Sequence, residues 1–330
     1  MTSQSITRRA FCATLLALPF PAWAQSTGKI FRIGFLDGGT AAGMAVRVKV
    51  FLDELSKLGW IEGKNFTIEY RFGEGKLGRG PELAADLVRL KVDLIVVSGT
   101  GPATAAKNAT TTIPIVMVAV GDAVAEGLVA SLARPGGNVT GFSSLAPGLN
   151  TKRLELLKDA VPKLLRVGLF RLGVGAIAED LQLKELRPAA SHLKLELEEI
   201  ETQVDAKGLE SAFQTAKQKQ VQAIMTTATR SFFSERKRIV ELATKYRLPA
   251  IYPAKEAVDE GGLMFYGTDS TEGYRLVAVY VDKILKGANP AELPVQQATK
   301  FEFVINLKAA KQIGHTIPVQ LLERANRVIK

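Results

Sequence analysis

Short runs of β-branched and aromatic residues alternate along the chain with longer segments whose apolar residues recur at helical spacing. Residues 31–36 form the first such run and predict a strand, and the apolar positions from Met44 to Leu58 predict the helix that follows it. The run 93–97 is almost entirely apolar, which is typical of a strand covered on both faces of a parallel sheet. The alternation therefore predicts an α/β fold with parallel sheets and helices on both faces.

The same pattern begins a second time after residue 143. A strand is predicted at 166–170, and further strands follow at 220–224 and 248–251. We therefore expect two Rossmann-like lobes in tandem.

The chain beyond Pro253 is longer than two complete lobes require, so we expect it to cross back between the lobes and to form a hinge. The expected N-terminal lobe comprises 29–143 plus about 254–287, and the expected C-terminal lobe comprises 144–253 plus about 288–330. Apolar spacing also predicts two helices near the ends of the lobes, Val124–Ala133 and Pro318–Val328.

The first 24 residues have the order of a bacterial export signal. Arg8 and Arg9 precede the apolar stretch Phe11–Pro21, which is too short to span a bilayer. Ala22–Ala24 is an A-x-A cleavage signal, so we expect the mature chain to begin at Gln25. The paired arginines fit a twin-arginine signal and a general secretory (Sec) signal alike, so both routes remain open, and either predicts a periplasmic protein.

Composition excludes several classes of function. Cys12 is the only cysteine and lies within the expected signal, so the mature chain is predicted to have no disulfide, thiolate metal site or cysteine nucleophile. The formal net charge is +10, but basic residues are scattered among acidic ones, which indicates a solvated surface and no nucleic-acid partner. Neither His192 nor His315 belongs to a catalytic or metal motif, so we predict no metal site and no enzymatic activity.

One glycine-rich segment points to a different ligand. Gly99–Thr104 resembles a degenerate G-x-G-x-x-G turn between a strand and a helix, and Asp122 follows it after the next strand. Thr104 replaces the third glycine, however, and the segment does not follow the first strand. We therefore predict no dinucleotide and no other cofactor.

Loops at the carboxyl ends of the predicted strands are rich in Gly, Ser and Thr. Ligands of open parallel α/β sheets bind beyond these strand ends. Glycines there let the backbone approach a ligand, and free N–H groups at helix N-termini favour an anion. The candidate ligand-binding residues in these loops are Asp37, Gly38, Gly39, Ser98, Gly99, Thr100, Gly121, Asp122, Ser143, Arg171, Thr226, Thr227 and Ala254.

Charged members of these loops favour a zwitterion or another small polar metabolite. Asp37, Asp122 or Asp269 can accept an ammonium group, and Arg171 or Arg230 can form a fork with a carboxylate. The alternative remains open that the glycines serve only as turn residues and that Asp122 caps the following helix.

Several longer motifs resemble one family, and they are spread over essentially the whole mature chain. They are Ile33–Leu36, Leu58–Trp60, Glu62–Asn65, Val120–Asp122, Leu132–Gly141, Gly261–Met264, Tyr266–Asp269 and Tyr280–Gly287. Together they resemble the ABC transporter substrate-binding proteins of the tryptophan/tyrosine type. The resemblance implies the type I periplasmic binding fold, with a ligand held between the lobes and delivered to an inner-membrane permease that a cytoplasmic ATPase drives.

The resemblance also implies site residues. It implies contributions from Gly121 and Asp122 and from the segment Tyr266–Asp269, so Tyr266 and Asp269 join the candidate set. The loop Phe170–Gly175 departs from the asparagine- and proline-containing form that is usual in the family, and we expect this loop to help set specificity.

The sequence thus predicts a monomeric, periplasmic solute-binding component of an ABC importer. Its ligand is expected to be a small polar metabolite, an amino acid or a related carboxylate, captured by closure of two lobes. An exported solute sensor for a membrane receptor kinase would use the same fold and remains an alternative, and an enzyme on the same scaffold is a further alternative.

Overall fold

The computed structural model describes residues 29–76, 78–144, 146–173 and 177–330. The expected export signal, residues 1–24, lies outside the described residues. No helix in the described ranges has both the length and the apolar character needed to cross a membrane.

Strands and helices alternate through the described residues. The first part of the chain contains β1 (Phe31–Asp37), α1 (Ala41–Lys57), β2 (Phe66–Phe72), α2 (Gly80–Arg89), β3 (Leu94–Ser98), α3 (Thr100–Ala109), β4 (Ile115–Val120) and β5 (Val139–Ser143). The middle part contains α4 (Ala146–Ala160), β6 (Arg166–Arg171), α5 (Ile177–His192), β7 (Glu196–Glu201), α6 (Ala206–Gln218), β8 (Ala223–Thr226), α7 (Arg230–Ser234), α8 (Arg236–Lys245), β9 (Ala250–Tyr252), α9 (Lys255–Asp259) and β10 (Met264–Gly267). The last part contains α10 (Ser270–Leu285), a 3₁₀ turn (Pro290–Glu292), β11 (Gln296–Gln297), β12 (Glu302–Asn306), α11 (Leu307–Ile313), α12 (Val319–Glu323) and β13 (Arg327–Ile329).

The first sheet has the strand order β11-β5-β4-β3-β1-β2, and all of its pairs are parallel. Helix α10 packs on this sheet beside α1, where Tyr274 and Val277 join Phe35 and Phe51 in one apolar cluster. A parallel sheet covered by helices buries its strands on both faces, which explains the almost continuous apolar sequence of β3.

The second sheet has the strand order β13-β12-β10-β9-β8-β6-β7. Its pairs are parallel except for β10 with β12, which is antiparallel. Two mostly parallel α/β sheets, each with its own apolar cores, confirm the predicted fold class.

Within the described ranges the chain passes between the two sheets three times: after β5, between β10 and α10, and between β11 and β12. Two boundaries differ from the expected lobes. Residues 254–267 carry α9 and β10 and belong with the second sheet, because β10 pairs with β9 and β12. Residues 288–297 belong with the first sheet, because β11 pairs with β5.

Two helical predictions are wrong. Residues 124–133 form turns, because Gly127 adopts a φ of +66° that a helix cannot contain, while Leu128 and Val129 still enter the core. Residues 318–328 form only the short helix α12, after which the chain extends into β13. Asn326 makes this change of direction, because its backbone N–H donates to the carbonyl of Phe303 and its side chain accepts from the N–H of the same residue.

Gly141 in β5 lies where β4 bulges and the register between the two strands shifts. Its φ is +131°, and a Cβ atom there would lie 2.3 Å from the carbonyl oxygen of Met117. Neither that backbone angle nor that distance suits a side chain.

We expect Gly141→Ala to lower the free energy of unfolding by roughly 2–4 kcal/mol, because backbone strain and overpacking add. Gly137→Ala is the matched control, since a Cβ atom at Gly137 meets nothing within 4 Å. Urea denaturation measures both variants, and equal unfolding free energies would contradict the prediction.

Candidate functional site

A cavity of about 520 Å³ lies between the two lobes. The first lobe contributes the loops after β1, β3 and β4, and the second contributes the loops after β8 and β9 together with α4 and α5. Apolar side chains such as Phe142, Leu172 and Phe233 form much of the wall. The charged side chains on the same wall are three arginines, two lysines and four carboxyl groups: Arg47, Arg153, Arg230, Lys76, Lys255, Asp37, Glu126, Glu179 and Glu256.

Arg230 crosses from one lobe to the other. It begins α7 in the second lobe, and its Nε lies 3.0 Å from Oδ2 of Asp37 at the end of β1. The N–H bond is not aimed at that oxygen, so this contact is an ion pair without hydrogen-bond geometry. Nη2 donates to Ser98 Oγ and, over 3.0 Å, to Tyr274 Oη, which itself lies 2.6 Å from Ser98 Oγ.

This arrangement changes the role expected for Asp37 and Ser98. Both are fully buried, and both are occupied by the guanidinium of Arg230. Gly99, the residue after Ser98, has a φ of +91°. A Cβ atom at this position would lie only 3.3 Å from Cγ of Arg230, so glycine leaves room for the arginine side chain. Burial alone would lower the pKa of Arg230, but Asp37, Tyr274 and Glu256 together outweigh this effect and the pKa is raised.

A second arginine joins the lobes from the other side. Arg47 of α1 places Nη2 2.7 Å from Oε1 of Glu256 in α9, and its guanidinium lies 3.8 Å from the ring centre of Phe233. Burial, with Arg230 nearby, lowers the pKa of Arg47. Two arginines therefore bridge the lobes: Arg47 reaches from the first lobe to the second, and Arg230 from the second to the first.

Glu126 is a carboxyl group on the first-lobe side of the cavity. Its Oε1 accepts from Thr100 Oγ1 over 3.1 Å and from the N–H of Asp122 over 3.4 Å. Its Oε2 is buried and has no hydrogen-bond partner among the described residues. Burial raises the pKa of Glu126 to about 7, so the neutral form is present near neutral pH.

Glu179 occupies the second-lobe side. It lies in the first turn of α5, and its Oε1 accepts from the N–H of Leu172 over 3.1 Å and from Thr227 Oγ1. Its Oε2 is also buried without a hydrogen-bond partner in the described part of the chain. Burial raises the pKa of Glu179.

Arg153 of α4 is the third arginine on the cavity wall and is only 3% exposed. Its Nε donates to the carbonyl of Tyr266 over 2.7 Å, and its Nη1 donates to Oδ1 of Asn150. Burial lowers the pKa of Arg153 to about 9.

The structure brings six of the fifteen predicted site residues onto the cavity wall. They are Asp37, Gly38, Gly99, Thr100, Gly121 and Ala254. Ligand contact by these residues remains a prediction, and for Asp37 the partner in this arrangement is Arg230.

Four of the other predicted residues support the wall from behind. Ser98 Oγ accepts a hydrogen bond from Arg230, and the carbonyl of Tyr266 accepts one from Arg153. Thr227 Oγ1 donates a hydrogen bond to Glu179. Ser143 Oγ donates to the carbonyl of Gly121 over 2.7 Å.

The remaining predicted residues do not line the cavity. The N–H of Gly39 donates to Oδ1 of Asp37 over 2.6 Å, Thr226 is buried at the end of β8, and Arg171 pairs over 2.9 Å with Glu201 on β7 of its own sheet. Asp122 accepts from the N–H groups of Val124 and Ala125 in a turn, and Asp269 caps α10.

Sequence reasoning missed Arg47, Arg153 and Glu179 as cavity residues. Each falls in register with the buried apolar stripe of its helix, as Arg153 does with Leu149, Leu156 and Leu157. A charged residue at a core position of an amphipathic helix is the signal that could have found them, because such a charge requires a buried partner or a cavity.

The described residues contain no group of three or more His, Cys, Asp or Glu side chains arranged to hold a metal ion. Two parallel α/β lobes with three crossovers and a polar-edged cavity between them define a two-lobed binding protein. The chain belongs to the family of ABC transporter substrate binding proteins, which it matches over residues 40–329.

Known proteins with a named ligand resemble this chain. A tyrosine-binding protein of Clostridioides difficile (strain R20291) is 27% identical over 266 residues, which are 80% of this chain and 75% of that protein. An ABC domain from Streptococcus pneumonia, solved in complex with L-Trp, is 26% identical with a TM-score of 0.80, and the match covers 91% of this chain and all of that one, 100%.

A third similar protein was solved without ligand. The open, ligand-free structure of a substrate-binding protein with adhesive properties from Clostridium difficile is also 26% identical, over 91% of this chain and 100% of that one, but its TM-score is 0.62. The structure of this chain is therefore more similar overall to the L-Trp complex than to this open structure.

The pKa of Glu126 predicts how stability depends on pH. The unfolded chain ionises this carboxyl near its ordinary pKa of 4.5, whereas the folded protein keeps the proton up to about pH 7. The unfolded state therefore binds fewer protons in this window, and stability falls as the pH rises through it. We expect the Tm of the wild type, relative to Glu126→Gln, to fall from pH 4.5 to about 7 and then to stay level.

Differential scanning calorimetry of both proteins across this range measures the effect. Glu323→Gln, at an exposed position of α12, provides a surface control. The raised pKa of Glu126 would be contradicted if the Tm of the wild type minus the Tm of Glu126→Gln stayed constant or rose with pH.

Proposed function

We propose that this chain is the periplasmic solute-binding component of an ABC importer. It captures an amino acid or a related small carboxylate in the interlobe cavity by lobe closure, and presents the closed form to an inner-membrane permease with its ATPase. Export requires the cleaved signal expected in residues 1–24. Membership of the substrate-binding family supports the transport role.

The observation that carries the proposal is a cavity whose wall is shared between two lobes. Its volume of about 520 Å³ falls within the range of small-molecule sites, roughly 300–1,000 Å³. A solute in that position contacts both lobes at once, so its binding energy favours the closed arrangement over an open one.

The interlobe contacts support closure as the mechanism. Asp37 with Arg230 and Arg47 with Glu256 form only when the lobes are together, and separating the lobes returns all four groups to water. The greater likeness to the L-Trp complex than to the open relative supports the same conclusion.

The character of the wall supports an amino acid or related carboxylate. Apolar side chains cover much of the cavity and can hold the body of a small ligand, while both lobes contribute arginine and carboxyl groups to its wall. Tyrosine and L-Trp, the ligands named for two relatives, combine these same features.

A ligand screen tests this function directly. We expect one or more L-amino acids to raise the Tm of the mature protein, since a ligand at 100 times its Kd stabilises by about 2.7 kcal/mol. The same ligand should reduce the radius of gyration in small-angle X-ray scattering, or leave it at the compact value if the lobes are already closed. Absence of binding by amino acids, carboxylates and sugars alike would contradict the proposal.

Asp37→Asn tests the link between the lobe contacts and affinity. The change leaves Arg230 buried without its counter-ion when the lobes close, and an unpaired buried charge costs about 3–5 kcal/mol. We therefore expect the Kd for the ligand found in the screen to increase at least about tenfold, measured by calorimetry.

Asp53→Asn is the matched control in the same lobe, because Asp53 pairs with Lys49 on the exposed face of α1. Its Kd should stay within about twofold of the wild type, as exposed pairs contribute little. Equal affinities of Asp37→Asn and Asp53→Asn would contradict the prediction, because they would show that the Asp37–Arg230 ion pair does not contribute to ligand binding through lobe closure.

A further inference from the structure

The three arginines on the cavity wall differ in how their charges are balanced. Arg230 has Asp37 as its counter-ion, and Arg47 has Glu256. Arg153 forms no ion pair with any carboxylate in the part of the chain that the structure describes. Its charge is therefore the one arginine charge on the described wall that the protein does not balance.

Burial makes this imbalance significant. Arg153 is 3% exposed, so bulk water solvates its guanidinium poorly, and an uncompensated buried charge is strongly unfavourable. A ligand that enters the cavity can supply the missing charge. An anion satisfies this requirement better than a hydroxyl or a carbonyl oxygen, because hydrogen bonds between charged groups are the stronger ones.

The guanidinium is also held in a fixed orientation. Nε is bonded to the carbonyl of Tyr266, and Nη1 is bonded to Asn150, whose amide in turn donates to Gln182 over 2.5 Å. Nη2 has no hydrogen bond to any described residue, and the side chain lines the cavity. A donor fixed in this way loses little conformational entropy when an anion binds to it.

We propose that Arg153 binds the carboxylate of the transported solute through Nη2, and so selects carboxylates over neutral solutes. This inference rests on the proposed function. It assigns to Arg153 the role that sequence reasoning gave to Arg171 or Arg230, both of which pair with carboxylates of the protein.

Arg153 lies close to two of the crossovers between the lobes. Helix α4 begins directly after the first crossover, and Tyr266 immediately precedes the second. A carboxylate on Arg153 therefore lies beside the segments that change most when the lobes move, and its charge reinforces an arrangement already bridged by Arg230.

A binding comparison tests the assignment. The probes are L-tyrosine, L-tryptophan and L-leucine, each with its carboxamide, together with D-ribose and D-galactose. We expect the wild type to bind at least one amino acid, and to bind its carboxamide at least about tenfold more weakly. In Arg153→Gln, which can still donate to the carbonyl of Tyr266, this preference should fall to about twofold or less.

Arg187→Gln is the matched control, because Arg187 is exposed and pairs with Glu199 over 2.7 Å in the same lobe. It should keep the wild-type preference. A preference that survives in Arg153→Gln would overturn the assignment of Arg153 and leave the proposed function intact. Binding of D-ribose or D-galactose without any carboxylate would also overturn it while leaving solute capture in place, and binding of no probe would count against both proposals.

A second measurement uses the ligand-free protein. If the charge of Arg153 is uncompensated, its removal should stabilise the empty protein, so we expect the Tm of Arg153→Gln to rise by about 2 °C or more. Arg187→Gln should change the Tm by less than about 1 °C. A lower Tm for Arg153→Gln would mean that the arginine serves a structural purpose, and would overturn the inference even if no variant bound a probe.

Discussion

The contact between the two lobes depends on the insertion of one guanidinium from the second lobe among the acceptors of the first. Arg230 contacts Asp37, Ser98 and Tyr274, all of which are fully buried and lie on three different elements. Transfer of such charges from water is costly, and only their mutual contact offsets it. In the closure mechanism proposed above, separation of the lobes would return Asp37 and Arg230 to water, so the open and closed arrangements would differ by a small free energy between large opposing contributions. A bound solute of ordinary affinity can therefore shift the equilibrium between them.

The polar groups of the cavity divide into those that join the lobes and those that are left for a solute. Arg230 and Arg47 have partners across the interface, and their charges are balanced there. Arg153, Glu126 and Glu179 are fixed by hydrogen bonds within their own lobes, and each retains polar capacity that no described residue uses. In the function proposed above, lobe closure and solute recognition would thus use different side chains, which would allow the ligand specificity to change without loss of the interlobe ion pairs.

Much of the fold could be predicted from the alternation of apolar runs with helical periodicity. Burial of parallel strands on both faces leaves a distinct apolar pattern in the sequences of β1, β3 and β6. The rule that ligands bind beyond the carboxyl ends of strands led to Asp37, Gly99 and Gly121, which do line the cavity. The return of residues 288–297 to the first sheet was missed because β11 has only two residues, too few to show a period. The role of Asp37 was unpredictable for a different reason: a sequence does not reveal whether the partner of a polar group is a solute or Arg230, which lies 193 positions away in the chain.

The protonation states of Glu126 and Glu179 determine which solute groups these two cavity carboxyl groups can bind. Each is a carboxyl group with one buried oxygen that lacks a partner, and burial raises the pKa of both. A carboxylic acid in its neutral form can donate a hydrogen bond from that oxygen, whereas the ionised form can only accept one. A solute with an ammonium group favours the ionised form, and a solute with a hydroxyl or carbonyl group is compatible with the neutral form. Because the pKa of Glu126 is about 7, the protein can meet either group near neutral pH at little free-energy cost, and binding of a cationic group there must release a proton from the fraction that is still protonated.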